Sequence, residues 1–260
     1  MPAHNDHSPA QPPRIALLVT CLVDLIRPRV GFASANLLER AGCEVHVPER
    51  QTCCGQPAYN SGDRKLAQKI ARHVIETFEG YDYVVVPSGS CAGMLRVHYA
   101  GLFAGASAKE SGWALRAQAL AAKTYELTQF LVEVRKLGTI GHPFGGRVVY
   151  HDSCSGLREL GIKAQPRHLL GPVLDYSGSE TCCGFGGTFA VKYPEVSDRI
   201  ASQRVGELEA AEADILLGGD LGCLLNLAGK LQRDGSWVRV FHIAEVLAGI
   251  EGNAIGEDTP

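Results

Sequence analysis

The sequence predicts an α/β protein of two pseudo-symmetric Rossmann-like modules with parallel sheets, related by internal duplication. Three observations carry this expectation. Short runs of Val, Ile and Leu end in turn residues and alternate with helical stretches, the pattern of a parallel sheet covered on both faces. A Cys-Cys-Gly motif occurs twice, each time with a lone Cys before it and another after it. Asp82 precedes Cys91 by nine positions, as Asp214 precedes Cys223.

Taken in order, Met1 to Pro13 has no basic stretch followed by an apolar run, and reads as a disordered tail and not a secretory signal. The first module runs over 14–141. Ile15 to Thr20 is a strand, and Pro28 to Ala41 is a helix closed by Gly42. Glu44 to Val47 is a second strand, and Arg64 to Phe78 an amphipathic helix ending at Gly80. Tyr83 to Val86 is a buried strand stopped by Pro87. Ala117 to Leu137 reads as one helix, and Gly138 to Gly146 as the linker. The second module, 142–250, repeats the order. Arg147 to Tyr150, Asp214 to Leu217 and Val238 to Phe241 are strands, Pro194 to Ala211 is a long helix, and Ile243 to Ala248 closes the module. Residues 251–260 read as a second tail.

The halves superpose motif on motif. Thr52-Cys-Cys-Gly55 matches Thr181-Cys-Cys-Gly184; Cys21 follows one strand and Cys154 another. The spacing from the lone Cys to the pair is 32 and 28 residues, and from the pair to the last Cys 37 and 40. Order and spacing together mark a repeat.

Composition narrows the function. The chain has 260 residues, of which 45% are hydrophobic and 20% charged, enough for one large core or two smaller ones. The net charge is −3 and the basic residues are scattered, so no footprint for nucleic acid is present. No apolar run approaches the ~18 residues of a membrane span. A soluble, cytoplasmic protein without direct membrane insertion is expected. In a reducing compartment, nine cysteines point to metal or redox duty instead of disulfides.

Two quartets stand out: Cys21, Cys53, Cys54 and Cys91, and Cys154, Cys182, Cys183 and Cys223. Most of these segments lie just past a strand, where open α/β sheets gather ligands. Four thiolates are the usual complement of a [2Fe–2S] or [4Fe–4S] cluster. Zinc knuckles space their cysteines by two to four residues. Adjacent cysteines cannot easily chelate one tetrahedral ion, but they can bind two irons of one cluster. One iron–sulfur cluster per half is the expectation, [4Fe–4S] favoured, with zinc the competing reading in the second half. The glycines nearby (Gly55, Gly89, Gly184, Gly186, Gly187, Gly222) permit positive φ and close backbone approach.

The arrangement resembles the cysteine-rich (CCG) domain found in heterodisulfide reductase and in the iron–sulfur subunits of glycolate oxidase and anaerobic glycerol-3-phosphate dehydrogenase. The strings VTCLVDLIRPRVG, LLERAGCEVHVPERQTCCGQPAYNSGD, VVPSGSCAGML, TYELTQFL, CCGFGGTFAVKYPEVS, GGDLGCLLN and FHIAEVL place it nearest the lactate-utilization branch. The resemblance implies an iron–sulfur electron-transfer component of an L-lactate oxidation system, working beside a ferredoxin-like iron–sulfur subunit and one further subunit. One departure is clear. The wider family ends each motif with Cys-x-x-Cys, giving five thiolates for a non-cubane cluster; here Met94 and Asn226 stand in the last place. That weighs against heterodisulfide chemistry, the competing enzymatic reading, and for an ordinary cluster.

Other residues read more plainly. Cys43, which has no counterpart in the second half, reads as core packing. His151 reads as a hydrogen-bonded strand-end histidine more readily than as a donor to cluster sulfur. Tyr59, Asn60, Lys192 and Tyr193 flank the two motifs as loop-ordering or surface residues. Gly184-Phe-Gly-Gly187 lacks the phosphate-loop ending. No hydrolase elbow, paired-carboxylate signature or flavin motif is present, so no catalytic residue is assigned and a relay is favoured over a site of hydride removal.

Overall fold

The structure is a computed structural model that describes residues 11–104, 108–173, 180–250 and 252–257. Two all-parallel sheets organise them. The first, in the order β2-β1-β3-β4, contains β1 (Arg14–Leu17), β2 (Glu44–His46), β3 (Tyr83–Val86) and β4 (Thr124–Glu126). The second, in the order β5-β6-β7, contains β5 (Val148–His151), β6 (Ile215–Gly218) and β7 (Arg239–His242).

Strand alternation assigns the faces. Ala16, Leu18, Val84 and Val86 pack on one side, against Ala67, Ala71, Val74, Ile75 and Phe78 of helix Arg64–Phe78. That helix presents its apolar residues at helical spacing and starts on Asp63, whose carboxylate accepts the Leu66 N–H at 3.0 Å. Ile15, Leu17 and Val85 pack on the other side, with helix Arg29–Arg40, in a core that continues into the second sheet. Both faces of β1 are therefore sealed, which is why its sequence is a continuous apolar run.

The duplication is written into the backbone. Arg14 N–H donates to Asp82 Oδ2 at 2.8 Å, and Arg147 N–H donates to Asp214 Oδ2 at 2.8 Å. Each aspartate N–H returns a bond of 3.0 Å to the same arginine's carbonyl. β1, β3 and β4 thus correspond to β5, β6 and β7. The register agrees, since Val86 pairs with Glu126 where Gly218 pairs with His242. The stretch where a counterpart of β2 would run lies largely outside the described residues.

One expectation is corrected. The helix expected over Ala117 to Leu137 is two helical segments separated by β4. Helix Ala108–Ala122 ends, Thr124–Glu126 pairs with β3, and a new helix starts at Leu127. Glu126 drives the restart: its carboxylate accepts the Thr128 N–H at 2.8 Å and the Gln129 N–H at 3.1 Å. At the C-terminal end, Ala254 and Ile255 are buried, and Ile255 N–H donates to Val240 O at 2.8 Å. Part of the segment expected to be a tail is packed on β7. The N-terminal tail lies, up to residue 10, outside the described residues.

Contacts between the halves lock them together. Helix Arg29–Arg40 packs on helix Ile243–Ala248, and the buried Arg27 Nε lies 3.0 Å from Glu245 Oε1, with Arg29 on the same carboxylate. Nearer the cysteines, Asp220 Oδ2 accepts Ser88 Oγ at 3.0 Å and the Ser90 N–H at 2.9 Å. There the backbones touch: a Cβ on Gly89 would fall 3.0 Å from Gly156 Cα. No helix among the described residues is long and apolar enough to cross a membrane.

Candidate metal centres

Each lone cysteine stands at the start of a helix just past the carboxyl end of a strand. Cys21 and Cys154 are the first residues of helices Cys21–Ile26, after β1, and Cys154–Arg158, after β5. Cys91 lies in the first turn of Gly89–Gly93, after β3, and Cys223 in that of Leu221–Arg233, after β6. Helix starts offer free N–H groups and a positive dipole end, which favour thiolate and sulfide. The Cys-Cys pairs arrive on loops that turn at Gly55 (φ 85°) and Gly184 (φ 83°). The turn brings backbone donors onto sulfur: Gly55 N–H to Cys53 Sγ at 3.4 Å, Gly184 N–H to Cys182 Sγ at 3.4 Å, and Phe185 N–H to Cys183 Sγ at 3.5 Å. The Gly184-Phe-Gly-Gly187 string therefore cradles sulfur where a phosphate loop would cradle phosphate. Gly222 has a different use, since a Cβ there would strike the Phe185 ring at 2.5 Å.

Both quartets converge. In the first, Cys21 and Cys53 Sγ are 3.9 Å apart, and Cys54 and Cys91 Sγ are 3.2 Å apart. Cys53 and Cys54 are adjacent in sequence, which joins the two pairs into one set of four. In the second, the Sγ atoms of Cys183 and Cys223 lie within 4.8 Å of each other, and Cys182 interacts with Cys154 and Cys183. In each set one buried pair (Cys54 and Cys91, Cys183 and Cys223) faces one half-buried pair (Cys21 and Cys53, Cys154 and Cys182).

The electrostatics repeat as well. Cys53 is drawn down to about 2 by the Cys21 and Cys54 thiols and the Gly55 N–H. Cys182 is drawn down to about 2 by Cys154, Cys183 and the Gly184 N–H. Cys21 and Cys154 are pushed up, because each keeps its proton to donate it in a hydrogen bond to the neighbouring sulfur and is part-buried. Each quartet so favours the thiolate form at one cysteine, and metal binding to thiols is coupled to proton release. Four convergent soft donors, backbone N–H groups aimed at sulfur and a dry inner wall fit an iron–sulfur group.

A cavity of about 240 Å³ opens on the first quartet. Its far wall belongs to the second half, through Phe185, Thr188, Val191 and Leu221. The two Cys-Cys-Gly loops meet nearby, where Lys192 Nζ lies 3.2 Å from Ser61 Oγ.

Other expected residues fall into place. Cys43 is buried in the core at the start of β2. Asp152 is spent on Arg167, which grips both carboxylate oxygens at 2.8 Å. Tyr59 lies over the His98 ring, and His98 pairs with Glu159 of the other half. Tyr193 meets Phe189 within its own loop. His151 departs from expectation: it is 1% exposed, and neither ring nitrogen has a hydrogen-bond partner among the described residues. Two loop locks escaped the sequence reading. Tyr99 OH donates to Cys54 O at 2.7 Å, and Asn226 Nδ2 donates to Cys183 O at 2.8 Å. The Asn226 role had a signal, its place three residues after Cys223; Tyr99 had none.

Two thiol quartets at the carboxyl rims of duplicated parallel sheets define a cysteine-rich α/β protein. The family profile described as "Cysteine-rich domain" (CCG) matches residues 15–96 and again 148–228. Lactate utilization protein A of Geobacillus kaustophilus is 49% identical over 239 residues, 90% of this chain and 98% of its own length. The proteins of the same name from Shouchella clausii and Bacillus cereus are 48% and 46% identical, each over 90% of this chain and 98% of their own. The chain belongs to the cysteine-rich (CCG) domain family and, within it, to the lactate utilization protein A family.

Proposed function

We propose that the chain is a cytoplasmic iron–sulfur electron carrier of an L-lactate oxidation system. In this reading Cys21, Cys53, Cys54 and Cys91 hold one cluster, and Cys154, Cys182, Cys183 and Cys223 hold the other. The modules are 14–141 and 142–250. The observation that carries the reading is the convergence of both quartets at the carboxyl rims of the sheets, with backbone N–H groups aimed at sulfur. Bound there, [4Fe–4S] clusters would supply one-electron chemistry.

The chain's own residues do the rest. Cys53 and Cys182 present the first thiolates. The Gly55, Gly184 and Phe185 N–H groups aim at sulfur and offset its negative charge. Tyr99 and Asn226 hold the Cys-Cys carbonyls still, so the ligands keep their aim. The half-buried pairs leave an edge of each centre near the surface, as exchange with partner subunits requires. A ferredoxin-like iron–sulfur subunit and a further lactate utilization subunit are the proposed partners. Met94, fully buried, and Asn226, tied to the Cys183 carbonyl, occupy the places of the fifth thiolates that a heterodisulfide-type cluster uses.

The test is genetic. A strain lacking the chain is expected to lose growth on L-lactate but not on glucose. The native gene should restore it; Cys53→Ser with Cys54→Ser, and Cys182→Ser with Cys183→Ser, should each fail. Growth on L-lactate with either pair replaced, at native protein level, would overturn the reading.

A further inference from the structure

The duplication supplies an internal control for His151. Arg14 and Arg147 hold the equivalent aspartate bonds at the two strands, and Cys21 and Cys154 follow them by the same seven positions. His151 therefore occupies the place of Leu18. Leu18 is an ordinary core residue, wholly buried against helix Arg64–Phe78. His151 is as deeply buried, yet its ring makes no hydrogen bond among the described residues. Burying an imidazole without a partner costs on the order of 1–3 kcal/mol, so an unpartnered polar group in a core calls for a cause.

The cause lies in what the ring faces. A ring nitrogen of His151 and the Sγ atoms of Cys183 and Cys223 all lie within 4.8 Å of one another. No such group exists in the first half among the described residues. Neither ring nitrogen is spent on a hydrogen bond among the described residues, so the ring can offer a lone pair to a metal. Asp152, the one carboxylate adjacent in sequence, is occupied by Arg167.

We infer that the second centre is a mixed thiolate–imidazole site, in which a ring nitrogen of His151 is a fifth protein ligand to iron beside Cys154, Cys182, Cys183 and Cys223, one more than an ordinary four-iron cubane takes. The inference rests on the iron–sulfur reading above. It makes the two centres chemically different: four thiolates in the first, four thiolates and one imidazole in the second. A neutral nitrogen donor raises a cluster's potential relative to thiolate alone. The second centre is then the better electron acceptor of the two, and electrons settle there.

The experiment is electron–nuclear double resonance on anaerobically purified, dithionite-reduced protein labelled with 15N-histidine. The expected result is a strongly coupled histidine nitrogen in the wild type that vanishes in His151→Leu, a substitution that copies the first half. Iron and sulfide in the variant should stay near the wild-type amount, while the potential of one centre falls. His151→Gln, which keeps a polar side chain, should lose the same coupling and serves if the leucine variant does not fold. A wild-type spectrum with no histidine coupling, or only the weak coupling of a hydrogen bond, would overturn the ligation. So would a coupling that survives in both variants. A preparation with no iron or sulfide at all would instead remove the iron–sulfur reading, which separates the two failures.

Discussion

The first and second halves share a backbone plan but differ in what fills it. Their strands, aspartate clamps, helix-borne cysteines and Cys-Cys-Gly turns coincide. The first half surrounds its quartet with Leu18 and Met94, both fully buried, and locks its loop with Tyr99. The second half puts His151 and Asn226 at the matching places and adds the wholly buried Arg204. Apolar walls disfavour extra negative charge, and nearby cations or donors favour it. The lesson is that duplication preserved the placement of the thiols, while substitution behind them set the two environments apart.

The comparison is open to disturbance at the seam between the halves, where the largest stability effect is expected. Glu245 is 3% exposed and answers two arginines from the first half, Arg27 and Arg29. Removing one partner of a buried pair leaves the other charge uncompensated, a cost of about 3–5 kcal/mol. Glu245→Ala should lose that much in urea unfolding, with the halves separating into two transitions. A variant within about 1 kcal/mol of wild type, the most a surface pair is usually worth, would mean the seam is held by apolar packing alone.

A smaller effect sharpens the comparison at one equivalent position. Glu126 and His242 occupy the same register place and each caps the helix that follows. Burial pushes Glu126 up to about 7 and His242 down to about 4. The signs are opposite. Folded Glu126 keeps its proton where the unfolded chain has lost it, so its contribution falls as pH rises from its ordinary 4.5 to about 7. Folded His242 refuses a proton that the unfolded chain takes up, so its contribution falls as pH drops from 6.5 to about 4. Each amounts to about 3 kcal/mol. Relative to wild type, Glu126→Gln should gain stability as pH rises across its window, and His242→Asn should gain as pH falls across its own. Parallel wild-type and variant curves in pH-dependent unfolding would contradict this.

Much of the fold was legible because both faces of the central strands are buried, which forces continuous runs such as Tyr83–Val86. β4 was not. Thr124-Tyr-Glu126 has three residues and a carboxylate at its end, and only pairing with β3 makes it a strand. The cysteine quartets were legible because the repeat gives each position a twin. His151 was misjudged for the opposite reason: its sequence neighbours suggest local hydrogen bonds, while its actual neighbours, Cys183 and Cys223, lie 32 and 72 positions on. The Arg27–Glu245 pair spans 218 residues, beyond any local pattern.

The central claim is that two thiolate quartets per chain each hold inorganic iron and sulfide. Iron, zinc and acid-labile sulfide, assayed per chain on oxygen-free protein, test it most directly. The account predicts brown protein with about eight iron and eight sulfide if both clusters are [4Fe–4S], falling by about half when either Cys-Cys pair is changed to Ser-Ser. Colourless protein without sulfide, or zinc in place of iron in either half, would contradict it.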